Sequence, residues 1–120
     1  GDYIQAETVR EAYSLNEPLI ALLSAPATGT LAASGSFVRV NSEHVILESV
    51  KKAERDDSVL LRFYECHNIR GSVRVNVNLP FGEVWECNLM EKDIAQVQCE
   101  VGEFGFDIKP FEILTFKLKQ

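Results

Sequence analysis

VILESVKKAERDDSVLLRFYE, residues 45–65, places two apolar runs on either side of a compact charged turn, Glu54–Asp57. The second run closes on a polar end, Arg62-Phe63-Tyr64-Glu65. Two short apolar runs joined by a polar turn are typical of a β-hairpin. This stretch therefore predicts an antiparallel pair of strands at the start of a β-rich region.

The first run of this stretch is ambiguous in its local pattern. His44–Glu54 contains good helix formers, and Glu48 lies four residues before Lys52, which suits a helix. Valine and isoleucine at positions 45, 46 and 50 favour a strand instead. Periodicity alone leaves both structures open for this segment.

From Phe37 onward the sequence changes to the period of two that half-buried strands show, most clearly beyond residue 65. In Ser72–Leu79 every second residue is apolar and the residues between are polar. Similar runs follow at Glu83–Met90, Ala95–Val101, Phe104–Ile108 and Glu112–Leu118. No helix-length amphipathic segment separates them, so parallel crossovers are not expected. The pattern predicts an all-β fold, an antiparallel β-sandwich with an immunoglobulin-like or similar Greek-key arrangement.

The sequence divides near Ser36. Val9–Tyr13 favours a short helical turn, whereas Ala25–Ser36 collects small residues that pack poorly into a core. We expect residues 1–36 to be an irregular lead-in segment that joins the rest of a parent protein. Residues 37–120 form the predicted sandwich.

Composition excludes several classes of function. The net charge of −6 is contrary to nucleic-acid binding, and the longest apolar run, within Pro18–Pro26, is too short for a membrane span. No N-terminal segment resembles a signal peptide. The three cysteines lack CxxC spacing, which indicates reduced thiols and a reducing, cytoplasmic location.

No motif in the sequence predicts an active site. No serine lies in a GxSxG elbow, and His44 and His67 each stand alone without metal-ligand spacing. Eighteen acidic residues would supply some suitably spaced pair by chance, so carboxylates carry no specific signal. We expect no catalytic residue and no metal ligand in this chain.

Charged residues at strand ends are the best candidates for a structural or domain-contact role. Because a buried charge needs a partner, we expect Arg62 to pair with a glutamate; the candidates are Glu65, Glu91 and Glu112. Trp85 is a candidate for stacking on a sugar ring. The aromatic residues as a group are more typical of a sandwich core.

Ordered short motifs carry a family resemblance across nearly the whole chain. They are Leu15-Asn16-Glu17-Pro18-Leu19, Lys51-Lys52-Ala53-Glu54, Arg62-Phe63-Tyr64-Glu65, Leu89-Met90-Glu91 and Pro110-Phe111-Glu112-Ile113-Leu114-Thr115. In order and spacing the chain resembles the C-terminal β-sandwich domain of the α-mannosidases of glycoside hydrolase family 38. The resemblance implies that His44–Glu54 is a strand.

The resemblance also implies a function for the parent protein. Family members hydrolyse terminal α-D-mannosyl bonds with retention, using an aspartate and a metal, usually zinc, in a catalytic domain that this chain does not resemble. The implied partner is therefore the catalytic domain of the same polypeptide. Mannosides are implied as ligands of the parent enzyme. Two alternatives remain, an autonomous carbohydrate-binding module and a generic immunoglobulin-like interaction domain.

Overall fold

A computed structural model describes residues 1–120, which form two compact units, Gly1–Gly35 and Ser36–Gln120. The first unit contains helix α1, Thr8–Asn16, which buries none of its residues. Before the helix, the Asp2 carboxylate accepts hydrogen bonds from the backbone N–H groups of Ile4 and Gln5. The helix ends just before Glu17-Pro18, as expected because proline disfavours helical geometry in the preceding residue.

The second unit is built from nine strands in two antiparallel sheets. The four-stranded sheet has the order β1-β4-β8-β7, and the five-stranded sheet has the order β2-β3-β9-β5-β6. The strands are β1 Val38–Val40, β2 Val45–Lys52, β3 Val59–Glu65, β4 Gly71–Val77, β5 Glu83–Cys87, β6 Asp93–Val97, β7 Cys99–Glu100, β8 Glu103–Ile108 and β9 Ile113–Lys119. The predicted all-β sandwich is confirmed.

The opening stretch forms the hairpin β2–β3. The ambiguous segment His44–Glu54 is therefore not a helix, because its residues Val45–Lys52 form strand β2. The register of the hairpin shifts at Glu48. Leu47 pairs with Phe63 and Ser49 pairs with Arg62, so two steps along β2 correspond to one step along β3. This bulge adds one residue to β2. Pairing with β3 satisfies the backbone groups on one side of β2, the edge strand of its sheet, and this tertiary pairing outweighs the helix formers in the segment.

The core lies between the two sheets. The four-stranded sheet contributes alternate residues of β4, and the five-stranded sheet contributes alternate residues of β3 and β9. The fully enclosed members include Leu61, Phe63, Val73, Val75, Val77, Val84, Phe104, Ile108, Phe116 and Leu118. Phe63, Phe104, Phe106 and Phe116 contact one another with ring centroids 4.6–6.2 Å apart, in tilted pairs except for the stacked pair Phe104–Phe106. Most phenylalanines therefore serve the core, as the composition indicated.

Two of the predicted strands differ from the structure by more than two residues. Ala95–Val101 is not one strand, because the chain leaves the five-stranded sheet after Val97 and enters the four-stranded sheet at Cys99. Val101 lies in a tight turn with Gly102, whose φ of 75° is accessible to glycine without strain. The strand predicted at Glu83–Met90 ends at Cys87, because the Asn88 side chain accepts backbone hydrogen bonds in a turn.

Candidate functional site

Arg62 lies on the outer face of the five-stranded sheet, and its partners differ from those expected. Its Nε donates to Thr115 Oγ1 at 3.3 Å, and its Nη1 lies 3.9 Å from Glu48 Oε2. The expected pair with Glu65, Glu91 or Glu112 is not formed. Residues an odd number apart in a strand point to opposite faces, so Glu65 is directed away from Arg62. The bulge in β2 instead brings Glu48 near the guanidinium.

Glu65 is a buried carboxylate held entirely by backbone donors. Its side chain accepts hydrogen bonds from the N–H groups of His67 at 2.7 Å, Asn68 at 3.0 Å, Ile69 at 3.1 Å and Phe111 at 2.8 Å. The residue is 1% exposed. Three of the donors belong to the β3–β4 loop and the fourth to the β8–β9 loop. One side chain therefore holds two loops together at the same end of the sandwich.

The hydrogen bonds to Glu65 also determine its protonation. Burial alone would raise the pKa of this carboxyl, but the four N–H donors outweigh burial and leave the pKa below its ordinary value. The carboxylate is therefore ionised at neutral pH. The sequence indicated that a charge at this position needs a partner. The partners are backbone N–H groups, which the types of the donor residues do not reveal.

Glu112 closes the turn that leads into β9. Its Oε2 accepts from the backbone N–H of Lys109 at 2.8 Å, and its Oε1 lies 3.8 Å from Lys109 Nζ. Its own carbonyl accepts from the backbone N–H of Glu65 at 3.0 Å. Glu112 thus belongs to the same end of the sandwich as Glu65, although their carboxylates make separate contacts.

Glu91 connects two hairpin loops across the outer face of the five-stranded sheet. Its carboxylate lies 2.7 Å from Lys51 Nζ and accepts from the backbone N–H of Glu54 at 2.9 Å. Its carbonyl accepts from Lys117 Nζ at 2.8 Å. The hydrogen bond from Lys51 is the main cause that lowers the pKa of Glu91. The β5–β6 loop is therefore tied to the β2–β3 turn above the central strand β9.

Lys117 is a second buried charge beneath this loop, and sequence reasoning missed it. Besides the Glu91 carbonyl, its Nζ lies 3.2 Å from Asp93 Oδ1 and 3.8 Å from Asp56 Oδ2. Beside it lies a small apolar cluster formed by Ala53, Leu60 and Cys87. Alternation in β9 correctly predicts that Lys117 faces outward, but no pattern in the sequence indicates that a loop covers that face.

Trp85 also lies on the outer face of the five-stranded sheet, close to charged groups. Its indole N–H donates to Glu83 Oε2 at 2.8 Å, and Lys119 Nζ lies 4.6 Å from the ring centroid. A lysine over the ring supplies a cation–π contact and occupies one of the two faces on which a sugar could stack.

The described residues show no arrangement of three or more His, Cys, Asp or Glu side chains that could hold a metal ion. His44 Nδ1 lies 3.0 Å from Ser42 Oγ, a local contact within one loop. All three cysteines are free thiols, with Cys66 and Cys87 buried. Helix α1 is neither long nor apolar enough to cross a membrane.

Comparison with known families matches residues 44–116 to the glycosyl hydrolases family 38 C-terminal beta sandwich domain. This chain belongs to that family. The matched region begins just before β2 and includes Arg62, Glu65, Trp85, Glu91 and Glu112. The buried carboxylate of Glu65 and the loop contact of Glu91 therefore lie in the region of this chain that matches the family and not in the lead-in segment.

The family 38 sandwich also has relatives that are similar over almost its whole length. It is 33% identical to alpha-mannosidase 2C1 of Homo sapiens, 35% identical to alpha-mannosidase 2C1 of Mus musculus and 29% identical to alpha-mannosidase G of Dictyostelium discoideum. Each alignment covers 98% of this chain but only 11–12% of the relative. The chain thus spans about an eighth of the length of the proteins that it matches.

Proposed function

We propose that this chain is the non-catalytic C-terminal sandwich of an α-mannosidase and that it supports the catalytic domain of the same polypeptide. The observation that carries the proposal is the family match over residues 44–116, together with relatives that are α-mannosidases far longer than this chain. The parent would hydrolyse terminal α-D-mannosyl bonds with retention.

The electrostatics of the sandwich support a structural role for its carboxylates. A glycosidase general acid needs a raised pKa so that it can donate a proton near neutral pH. Here Asp56, Glu65, Glu91 and Asp93 all have pKa values below their ordinary range, each because of hydrogen bonds that favour the ionised form. These groups suit permanent anionic contacts and not proton donation.

The cofactor and the location of the parent belong to the same proposal. Residues of this chain do not fit a zinc site, so the zinc implied by the family would be held by the catalytic domain. Mannosides would likewise be bound there. The three free thiols support a cytoplasmic location for the polypeptide.

Hydrolysis of an aryl α-mannoside tests the proposal directly. We expect the full-length native polypeptide to release the aryl group, to form the α-anomer of mannose first, and to leave the aryl β-mannoside intact. The isolated 120-residue chain should fold but release no product, with or without added zinc. Turnover by the isolated chain above a mock preparation, or no turnover by the full-length polypeptide, would contradict the proposal.

A further inference from the structure

An exposed apolar patch lies at the end of the sandwich that Glu65 organises. We define the Phe111 patch as Ile46, Tyr64, Ile69, Phe111 and Ile113. Ile46 pairs with Tyr64, and Tyr64 pairs with Ile113, so these three side chains form one row across neighbouring strands. Phe111, Ile113 and Ile69 are 62%, 57% and 44% exposed, whereas Ile46 and Tyr64 are half-buried.

The buried carboxylate of Glu65 connects the two loops of this patch. Its Oε1 accepts from the backbone N–H of Ile69, and its Oε2 accepts from the backbone N–H of Phe111. The two backbones are thus fixed on either side of one carboxylate while their side chains project outward. The side chains of Ile69 and Phe111 are therefore exposed although their backbone N–H groups are bound to a buried carboxylate.

Phe111 is in addition held in a strained backbone conformation. Its φ is 56°, in the left-handed region that a bulky side chain rarely adopts. Strain of this kind persists only where the surrounding structure imposes it, and it concentrates at functional sites. Here the hydrogen bond from the Phe111 N–H to Glu65 holds the backbone in this conformation while the aromatic side chain remains mostly exposed.

We propose that the Phe111 patch is the surface by which the sandwich docks onto the remainder of the α-mannosidase polypeptide, with Phe111 as the main anchor. This inference rests on the proposed function. The occupant follows from length, since the relatives continue for about seven-eighths of their residues beyond the region that this chain matches. The docking surface on that remainder is apolar and low in charge, to match the side chains of the patch.

The test uses the full-length native polypeptide with a specific protease site inserted in the exposed, irregular segment Ala25–Gly35. After cleavage, size-exclusion chromatography measures whether the sandwich fragment still elutes with the remainder. The test variant is Phe111→Asn/Ile113→Thr. Asparagine tolerates the left-handed conformation and threonine suits a strand, so this variant should remain folded. The matched control is Val101→Asn, which alters a fully exposed apolar residue in the β7–β8 turn, outside the patch.

The wild type and the control should stay associated after cleavage, whereas the test variant should dissociate at least about tenfold more readily. Equal retention of the test variant and the control would overturn the proposal, as would release of the wild-type fragment. Dimerisation of the isolated chain that is lost in the test variant would assign the patch to a second copy and would also overturn it. Hydrolysis of an aryl α-mannoside by the uncut polypeptide is measured in parallel. Turnover together with loss of the docking result contradicts the docking proposal alone, whereas no turnover contradicts the proposed function.

Discussion

At the scale of single residues, Glu65 shows how one ion can be stable without a counter-ion. A buried carboxylate is costly unless its oxygens are fully hydrogen-bonded. Four backbone N–H groups meet that requirement here. The charge therefore stabilises two loop conformations, including the left-handed geometry of Asn68 and Phe111.

Replacing Glu65 with Gln should lower the free energy of unfolding by about 2–4 kcal/mol, because hydrogen bonds to a charged acceptor are lost and an amide N–H₂ faces donors. Urea unfolding of the isolated chain at pH 7 measures the change. Glu48→Gln is the matched control, since its carboxylate is exposed and makes only a long contact with Arg62. The control should stay within about 0.5 kcal/mol of the wild type. An equal loss in both variants would contradict the role assigned to Glu65.

The difference in stability between the wild type and Glu65→Gln should depend on pH in a defined direction. The folded pKa of Glu65 is lowered, so its stabilisation is fully present above the unfolded pKa, about 4.3. It is lost as pH falls through the lower folded pKa. The gap between the wild type and Glu65→Gln should therefore be constant from pH 7 to about 5 and shrink below about 4. A gap that widens in acid would refute this assignment.

At the scale of elements, the five-stranded sheet is stabilised by contacts between its two hairpins. Strand β9 lies between β3 and β5, and the β5–β6 loop crosses above it. Glu91 makes the contacts to Lys51 and to the Glu54 amide on the far side. The backbone of Glu91 has a φ of 62°, in the left-handed region.

Glu91→Ala should loosen the contact between the two hairpin loops without unfolding the sheet. Amide hydrogen exchange should accelerate several-fold at Glu54, whose N–H loses its acceptor, because local opening becomes easier. Amides in the centre of β3 and β9 should exchange as in the wild type. Glu86→Ala, which alters a glutamate in β5 that makes no contact with Glu54, is the control. Unchanged exchange at Glu54 in Glu91→Ala would argue against the inter-loop contact.

At the scale of the whole molecule, the fully buried residues of the main core all lie in strands of the second unit. Every residue of the main core cluster lies in β2 or later, and α1 contributes no buried residue. The family match likewise begins at residue 44. These observations agree with a division into a lead-in of residues 1–36 and a sandwich of residues 37–120. The division itself is a prediction that truncation can test.

A chain of residues 37–120 should unfold in one cooperative transition, with a free energy of unfolding within about 0.5 kcal/mol of the 120-residue chain. Thermal and urea unfolding of both chains at one concentration provide the measurement. A large loss of stability, or non-coincident transitions by fluorescence and circular dichroism, would show that the lead-in belongs to the folded sandwich.

Much of this architecture was predictable, because a period of two places each residue on a known face of a strand. The buried valines of β4, the outward direction of Lys117 and the β2–β3 turn all follow from that period and from turn composition. The family resemblance also determined that His44–Glu54 is extended where local propensities were balanced.

Tertiary structure alone decided the contacts between distant segments. Periodicity cannot reveal that the chain changes sheets between Val97 and Cys99, since both strands continue the same alternation. Nor can it assign Glu65 to an N–H group 46 residues away at Phe111, because every residue except proline offers that donor. The sequence by itself determined which residues are buried by strands. Only the folded chain determined which loops cover them and that Phe111, Ile113 and Ile69 are among the apolar residues left exposed.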